Sequence, residues 1–137
     1  VVQAQIDAFL LGGPHAVVGA SRDRRKYGNK VLRNYLQRNM PVYAVNPHRA
    51  DAEGIEGVTT VATLADLPQP VHGISIITPP DVTETIVQDA IAAGIHHLWM
   101  QPGAESRRAV EAAEAAGLSV IHGGPCLLVV LGFREQP

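Results

Sequence analysis

The sequence predicts an α/β fold, a doubly wound, Rossmann-like parallel sheet with a helix ahead of it, in a single domain spanning residues 1–137. Three observations lead there. Short apolar runs of strand length alternate with longer amphipathic runs, the signature of βαβ units with helices on both faces of the sheet. The runs at 16–18, 42–45, 74–77, 97–100 and 118–121 each reach a Gly or Pro within two residues of their end, as strands entering turns do. The chain of 137 residues shows no internal repeat and no break in composition, so it fits one core, placed at about residues 14–121.

Taken in order, Val2, Ile6, Phe9 and Leu10 share one helical face, and Gly12-Gly13-Pro14 stops the pattern. Ala16, Val17 and Val18 form the first strand. A small-residue turn, Gly19-Ala20-Ser21, follows, then a basic loop and a helix that opens near Gly28 with Val31, Leu32, Tyr35 and Leu36 as its apolar stripe. The strand Val42–Val45 closes on Asn46-Pro47, and His48 to Gly57 is a polar loop. Val58 to Val61 reads as a short strand, and Thr63 as the N-cap of one helical turn ending at Pro68. The strand Gly73–Ile77 stops at Thr78-Pro79-Pro80. Asp81 is expected to cap the next helix in a capping-box pair with Glu84, burying Val82, Ile86, Val87, Ala90 and Ile91 before Gly94. His97–Met100 is a strand, with Trp99 and Met100 in the core. A helix from about Glu105 or Ser106 to Ala116 and the strand Leu118–Ile121 follow. The apolar run Cys126–Leu131 packs as an edge strand or a helix.

Charge and composition narrow the function. The net charge of −2 argues against general nucleic-acid binding. No apolar run approaches the roughly 20 residues of a membrane span. One cysteine, Cys126, cannot make an internal disulfide, which fits a reducing compartment, and Val1-Val2-Gln3 lacks the basic start of a signal peptide; a cytoplasmic location is expected.

The chemistry concentrates after the first strand. Gly19, Ala20 and Ser21 let a ligand approach the backbone. The helix beyond them offers unpaired N–H groups and a positive dipole end, a ready anion site. Seven of the eleven Lys and Arg residues lie between Arg22 and Arg38, which makes the local field positive. Ser21 is expected to donate its hydroxyl to phosphate. In a doubly wound sheet ligands sit beyond the strand ends where the strand order reverses. Here that places Gly19–Gly28 and Thr78–Asp81 at the crevice, flanked by Asn46-Pro47 and Gln101–Ala104, with Pro79-Pro80 as a flat wall for a base. A dinucleotide fold would carry an acidic residue after its second strand and two further glycines in its first loop. Asn46, Ser21 and Arg24 stand there instead, which counts against NAD. An NAD(P)-dependent oxidoreductase, with Arg22 or Arg24 meeting a 2′-phosphate, is therefore the alternative reading.

Five stretches also carry a resemblance: Val18-Gly19-Ala20-Ser21 with Tyr27-Gly28, Val42 to Pro47, Thr78-Pro79-Pro80, Leu98 to Gln101 with Gly103, and Ala115 to Leu118. In these the chain resembles stand-alone CoA-binding proteins related to the CoA-binding domain of the succinyl-CoA synthetase alpha subunit. The resemblance implies coenzyme A or an acyl-CoA held without catalysis. Its site would comprise Gly19, Ala20, Ser21, Arg24, Lys26, Tyr27, Gly28, Lys30, Val45, Asn46, Pro47, Thr78, Pro79, Pro80, Val82, Gln101 and Gly103. Such relatives often carry Asp-Arg-Cys after the last strand, where Gly124-Pro125-Cys126 keeps only the cysteine. The phosphohistidine domain of the ligases has no counterpart here, so ligation is not carried over. A homo-oligomer, a partner enzyme and a ligand-sensing regulatory role through another protein stay open.

Other chemistry is less well supported. The six histidines show no recognised zinc spacing, and no metal is expected. His15, His72 and His97 sit at strand edges and are expected to bond to nearby backbone, while His122 beside two glycines stands apart. Cys126 shows no neighbouring base in sequence and reads as a buried structural cysteine. Ser21 lacks a G-x-S-x-G elbow. Arg107 and Arg108 read as a solvated helix face.

Overall fold

The computed structural model describes residues 2–48 and 54–135. Six parallel strands form one sheet: β1 (His15–Val18), β2 (Val42–Val45), β3 (Thr60–Val61), β4 (Gly73–Ile76), β5 (His97–Met100) and β6 (Ser119–Ile121). Their order is β3-β2-β1-β4-β5-β6, so the chain reverses direction across the sheet between β1 and β4, as expected. Among the described residues five α-helices accompany them: α1 (Val2–Leu11), α2 (Tyr27–Gln37), α3 (Pro80–Ala93), α4 (Arg107–Ala115) and α5 (Leu127–Val130).

The alternation of side chains along each strand divides the core in two. Ala16, Val18, Ile74, Ile76, Leu98 and Met100 face α3 and α4, meeting Val87, Ala90, Ala109 and Ala113. Val17, Ala44, Trp99 and Ile121 face α1, α2 and α5, meeting Phe9, Leu32, Tyr35 and Leu127. Both sides of every central strand are covered, which explains runs that are apolar throughout. Tyr35 is fully buried and shares a 2.7 Å hydrogen bond with Ser75 Oγ, so its hydroxyl costs little to bury.

The helix α1 closes the lower end of the sheet. Phe9 meets the edge of Trp99 at 5.3 Å between ring centroids and lies over Gly73, where a Cβ would stand 2.8 Å from Phe9 Cε2. His15 and His72 bond through Nε2 to the carbonyls of Phe9 (2.7 Å) and Ala8 (2.8 Å), satisfying acceptors that the end of a helix leaves open. His97 stacks on His72 at 4.3 Å, but its buried Nδ1 has no partner among the described residues, unlike the expectation from sequence.

Several elements differ from expectation. Val2 is exposed, so the buried stripe of α1 is Ile6 and Phe9. β3 is confined to Thr60–Val61; Val58 instead pairs with Ile55 in an isolated bridge. Thr63 precedes the 3₁₀ turn Leu64–Asp66 without capping its backbone, because its hydroxyl donates to the Asp66 carboxylate at 2.9 Å. Asp81 is not a cap. Pro79 takes that position and Pro80 is the first helical residue, where a missing N–H costs nothing. Glu84 accepts instead from Ser106 Oγ at 2.6 Å, and Ser106 caps α4. The terminal apolar run is helical, α5. Residues 49–53 of the His48–Gly57 loop lie outside the described residues, as do Val1 and residues 136–137.

Candidate functional site

Every strand points its carboxyl end at the same rim, so the loops after β1, β2, β3 and β4 meet there. Between β1 and β4 they enclose a cavity of about 730 Å³, within the range of small-ligand sites. From the β1 side come Gly19, Ala20, Ser21, Lys26, Tyr27 and Gly28; from β2 come Val45, Asn46, Pro47 and His48. Thr78, Pro79, Val82, Ile86 and Asp89 contribute from the β4–α3 side, and Ala62, Thr63 and Leu64 from beyond β3.

Two glycines set the turn from β1 into α2. Gly19 turns at φ +97°, and a Cβ there would stand 1.9 Å from the Ile77 carbonyl oxygen. A Cβ on Gly28 would stand 2.0 Å from the Gly19 carbonyl oxygen, so the start of α2 presses directly on the end of β1. This close approach needs glycine on both sides. Lys26 precedes α2 in extended conformation and supplies no side-chain cap. Asn29 N–H already donates to the Lys26 carbonyl at 3.2 Å, which leaves the N–H groups of Tyr27 and Gly28, both cavity-lining residues, as the ones without a side-chain cap.

Asn46 holds the two rims together. Its Nδ2 donates to the Ala20 carbonyl at 2.7 Å and its Oδ1 accepts from His48 N–H at 2.7 Å. The position where a dinucleotide fold keeps a carboxylate is thus a neutral brace between loops. Ser21 Oγ accepts from Asp23 N–H at 3.1 Å, which leaves its proton free for another acceptor.

Most of the basic cluster faces elsewhere. Arg22 donates to the Gly54 carbonyl at 2.6 Å, and Arg24 pairs with Glu56 at 2.8 Å. Arg25 pairs with Asp23 at 2.9 Å, and its hydrogen bonds hold the Asp23 carboxyl down to about 2. Arg33, nearly buried, donates to Asn29 (2.6 Å), the Arg24 carbonyl (2.8 Å) and Glu135 (2.6 Å); Lys30 reaches the same Glu135 at 3.8 Å. The hydrogen bond from Arg33 keeps Glu135 below the usual carboxylate range. Lys26 is the one lysine or arginine among the described residues that lines the cavity.

The residues expected at the site therefore separate. Gly19, Ala20, Ser21, Lys26, Tyr27, Gly28, Val45, Asn46, Pro47, Thr78, Pro79 and Val82 converge on the cavity; Arg24, Lys30, Pro80, Gln101 and Gly103 do not line it. Gln101 and Gly103 serve the chain instead. Gln101 Oε1 accepts from Tyr27 (3.0 Å) and from Leu127 N–H (2.9 Å), and Gly103 N–H donates to Glu105 (2.9 Å). With the Tyr27 proton given to Gln101, the Cys126 thiol donates to the phenol oxygen at 2.7 Å. Burial, then the contact with Cys126, raises the Tyr27 phenol well above its ordinary value. Cys126 is half-buried rather than buried as expected, and its partner Tyr27, 99 positions away, carries no local signal. His122 is exposed in the loop after β6.

Sequence reasoning missed His48, Thr63, Leu64, Ile86 and Asp89 as cavity residues. The rule that ligands gather beyond strand ends already pointed to the loop after β3, where Thr63 and Leu64 sit.

Fold and site together define a Rossmann-like domain with a cavity at the carboxyl ends of its strands, lined by Lys26 and the start of α2 on one side and by Pro79 and Val82 on the other. The chain belongs to the CoA-binding domain family, which it matches over residues 15–132. It is 36 % identical to a conserved hypothetical protein from Pyrococcus furiosus, covering 85 % of this chain and 97 % of that one with a TM-score of 0.78. The dinucleotide-forming acetyl-coenzyme A synthetase 1 of Ca. Korarchaeum cryptofilum is 26 % identical at a TM-score of 0.69, over 83 % of this chain and 27 % of that one. The ADP-forming acetate–CoA ligase I of Archaeoglobus fulgidus is 28 % identical over 122 residues, 82 % of this chain. The chain spans 17 % of the length of that ligase. No helix among the described residues is long and apolar enough to cross a membrane.

Proposed function

We propose that this chain binds coenzyme A or an acyl-CoA and performs no chemistry on it. One observation carries the reading: the cavity at the β1–β4 reversal joins the uncapped N-terminus of α2, with Lys26, to an apolar slot walled by Pro79 and Val82. The first end suits a pyrophosphate. The second suits an adenine ring or the pantetheine arm. Membership in the CoA-binding domain family supports the same ligand. The neutral Asn46 brace gives a nicotinamide dinucleotide no carboxylate for its ribose hydroxyls, which favours CoA over NAD(P). We assign the contacts to Gly19, Ala20, Ser21, Lys26, Tyr27, Gly28, Asn46, Pro47, Thr78, Pro79 and Val82.

Isothermal titration with CoA, NADH and NADPH at moderate salt tests the assignment. CoA binds and the nicotinamide nucleotides do not. At a hundred times its dissociation constant CoA stabilises the fold by roughly 2.7 kcal/mol, visible as a thermal shift. No heat and no shift with millimolar CoA refutes the proposal.

A further inference from the structure

The polar loop after β2 comes back to the β1–α2 loop as a tight hairpin. Ile55 and Val58 form its isolated antiparallel bridge, and Val58 N–H donates to the Ile55 carbonyl at 3.0 Å. Between them Glu56 and Gly57 both take positive φ, +51° and +76°. A two-residue turn of this kind requires positive φ at both central positions, which Asn and Gly adopt and a longer side chain resists. Gly57 meets that requirement and Glu56 does not. The hairpin is nevertheless firmly set. Ile55 is buried in the cluster that holds Val17 and Leu32, and its N–H donates to Thr60 Oγ1 at 2.9 Å. Gly54 approaches the Val58 carbonyl so closely that a Cβ would stand 2.3 Å from its oxygen.

The residue that suits the turn least makes its contacts outside the turn. Glu56 Oε1 accepts from Arg24 Nη1 at 2.8 Å, and Oε2 accepts from Asn29 Nδ2 at 3.0 Å. The same Nδ2 donates to the Ser21 carbonyl at 2.7 Å, while Asn29 Oδ1 accepts from Arg33 at 2.6 Å. Asn29 is fully buried, so its bonds are shielded from water and strengthened by it. Arg22 adds a further link, to the Gly54 carbonyl at 2.6 Å. The hairpin therefore holds the β1–α2 loop at Arg22, at Arg24 and, through Asn29, at Ser21. The Glu56 carboxylate supplies the second and third of these.

We propose that Glu56 is a positioning residue for CoA binding: its carboxylate fixes the β1–α2 loop in the form that receives the ligand's pyrophosphate. The inference rests on the reading of the cavity as a CoA site. Ser21 and Lys26 line that cavity and Glu56 does not, so Glu56 acts through the loop and touches no ligand. A loop already held in its bound form loses little further freedom when the ligand arrives. Backbone strain persists where the surroundings over-determine it, and such places gather at ligand clamps. Asparagine would serve the turn better than glutamate, and the contacts to Arg24 and Asn29 are what glutamate adds.

Glu56→Asn and Glu56→Gly in the full chain test this. Both replacements adopt positive φ more readily, so the turn survives, and neither spans to Arg24 and Asn29 together. The urea midpoint should match the parent's or exceed it. CoA affinity, by titration calorimetry, should fall at least about fivefold in both variants. Amide hydrogen exchange of the unliganded protein, read by mass spectrometry, should rise over residues 21–26 and stay at the parent's level in β4, β5 and α3. CoA affinity within twofold of the parent's in both variants overturns the proposal and leaves the CoA reading standing. A urea midpoint that falls in step with affinity also overturns it, because Glu56 would then serve the fold as a whole. Unchanged exchange over residues 21–26 overturns it as well. A parent protein that binds no CoA overturns the CoA reading and this proposal with it.

Discussion

Replacing Lys26 and, separately, Lys30 by alanine divides the basic cluster into ligand contacts and structural pairs. The two lysines stand one helical turn apart at the start of α2. Only Lys26 lines the cavity, while Lys30 approaches Glu135 at 3.8 Å on a partly exposed surface. A lysine and a phosphate about 4 Å apart attract by about 4 kcal/mol at the effective dielectric of a protein surface. Solvent exposure and side-chain ordering reduce this towards the roughly 1.5–3 kcal/mol of a charge-assisted hydrogen bond. Lys26→Ala should therefore weaken CoA binding by about 1.5–2 kcal/mol, roughly 10- to 30-fold. Lys30→Ala should leave affinity within about twofold and lower stability by at most about 1 kcal/mol, the ceiling of an exposed pair. Titration calorimetry reads the first effect and urea unfolding the second. Binding to the parent should also weaken from low to high salt, and less steeply in Lys26→Ala. Equal losses in the two variants would show that the field of the whole cluster, rather than a contact at Lys26, attracts the ligand. No loss in Lys26→Ala would remove the phosphate from this end of the cavity.

Three further outcomes follow from the packing. Gly19→Ala places a methyl 1.9 Å from the Ile77 carbonyl oxygen at φ +97°; it should cost at least about 2 kcal/mol in urea unfolding and abolish CoA binding, and a variant as stable as the parent contradicts the turn. Burial lowers the pKa of His15 and His97, so the unfolded chain binds protons first; stability should be full above about pH 6.5, the ordinary histidine value, and fall as pH drops below it. A flat urea midpoint between pH 7 and pH 5 contradicts that desolvation. Asn34 is fully buried in α2, and neither its Oδ1 nor its Nδ2 has a partner among the described residues; Asn34→Leu should leave stability unchanged or raise it by up to about 1 kcal/mol, and a larger loss would reveal a partner for the amide.

Strands and their turns were the most legible part of the sequence. The runs at 42–45 and 97–100 coincide with β2 and β5 because a strand covered on both faces is apolar throughout and stops where Gly or Pro removes its pairing. The reversal between β1 and β4 followed from the usual strand order, and the cavity sits there. The partners of the basic residues were not legible. Arg24 finds Glu56 across 32 positions and Arg33 finds Glu135 across 102, and the density of charge near a loop does not say which cations it holds for itself. The same limit hid Tyr27, Gln101 and Cys126, which the fold brings into one hydrogen-bonded group from three distant segments.

The start of α3 shows how a local signal can be outweighed by another beside it. Asp81 and Glu84 have capping-box spacing, but Pro80 is preorganised for the first helical position and needs no partner for a missing N–H. The helix therefore begins two residues earlier, Asp81 moves into its first turn, and Glu84 turns outward to Ser106. The shift has a consequence for the site. Thr83 and Val87 point into the core, while Val82 remains 41 % exposed although it belongs to the apolar pattern of the helix. Apolar spacing along a helix records where water is excluded some of the time, by core or by ligand, and does not distinguish the two. Val82 and Ile86 both line the cavity. Ile86 also packs against the core, while Val82 is left partly open, and under the proposed function that open part of the apolar face is where the bound molecule makes contact.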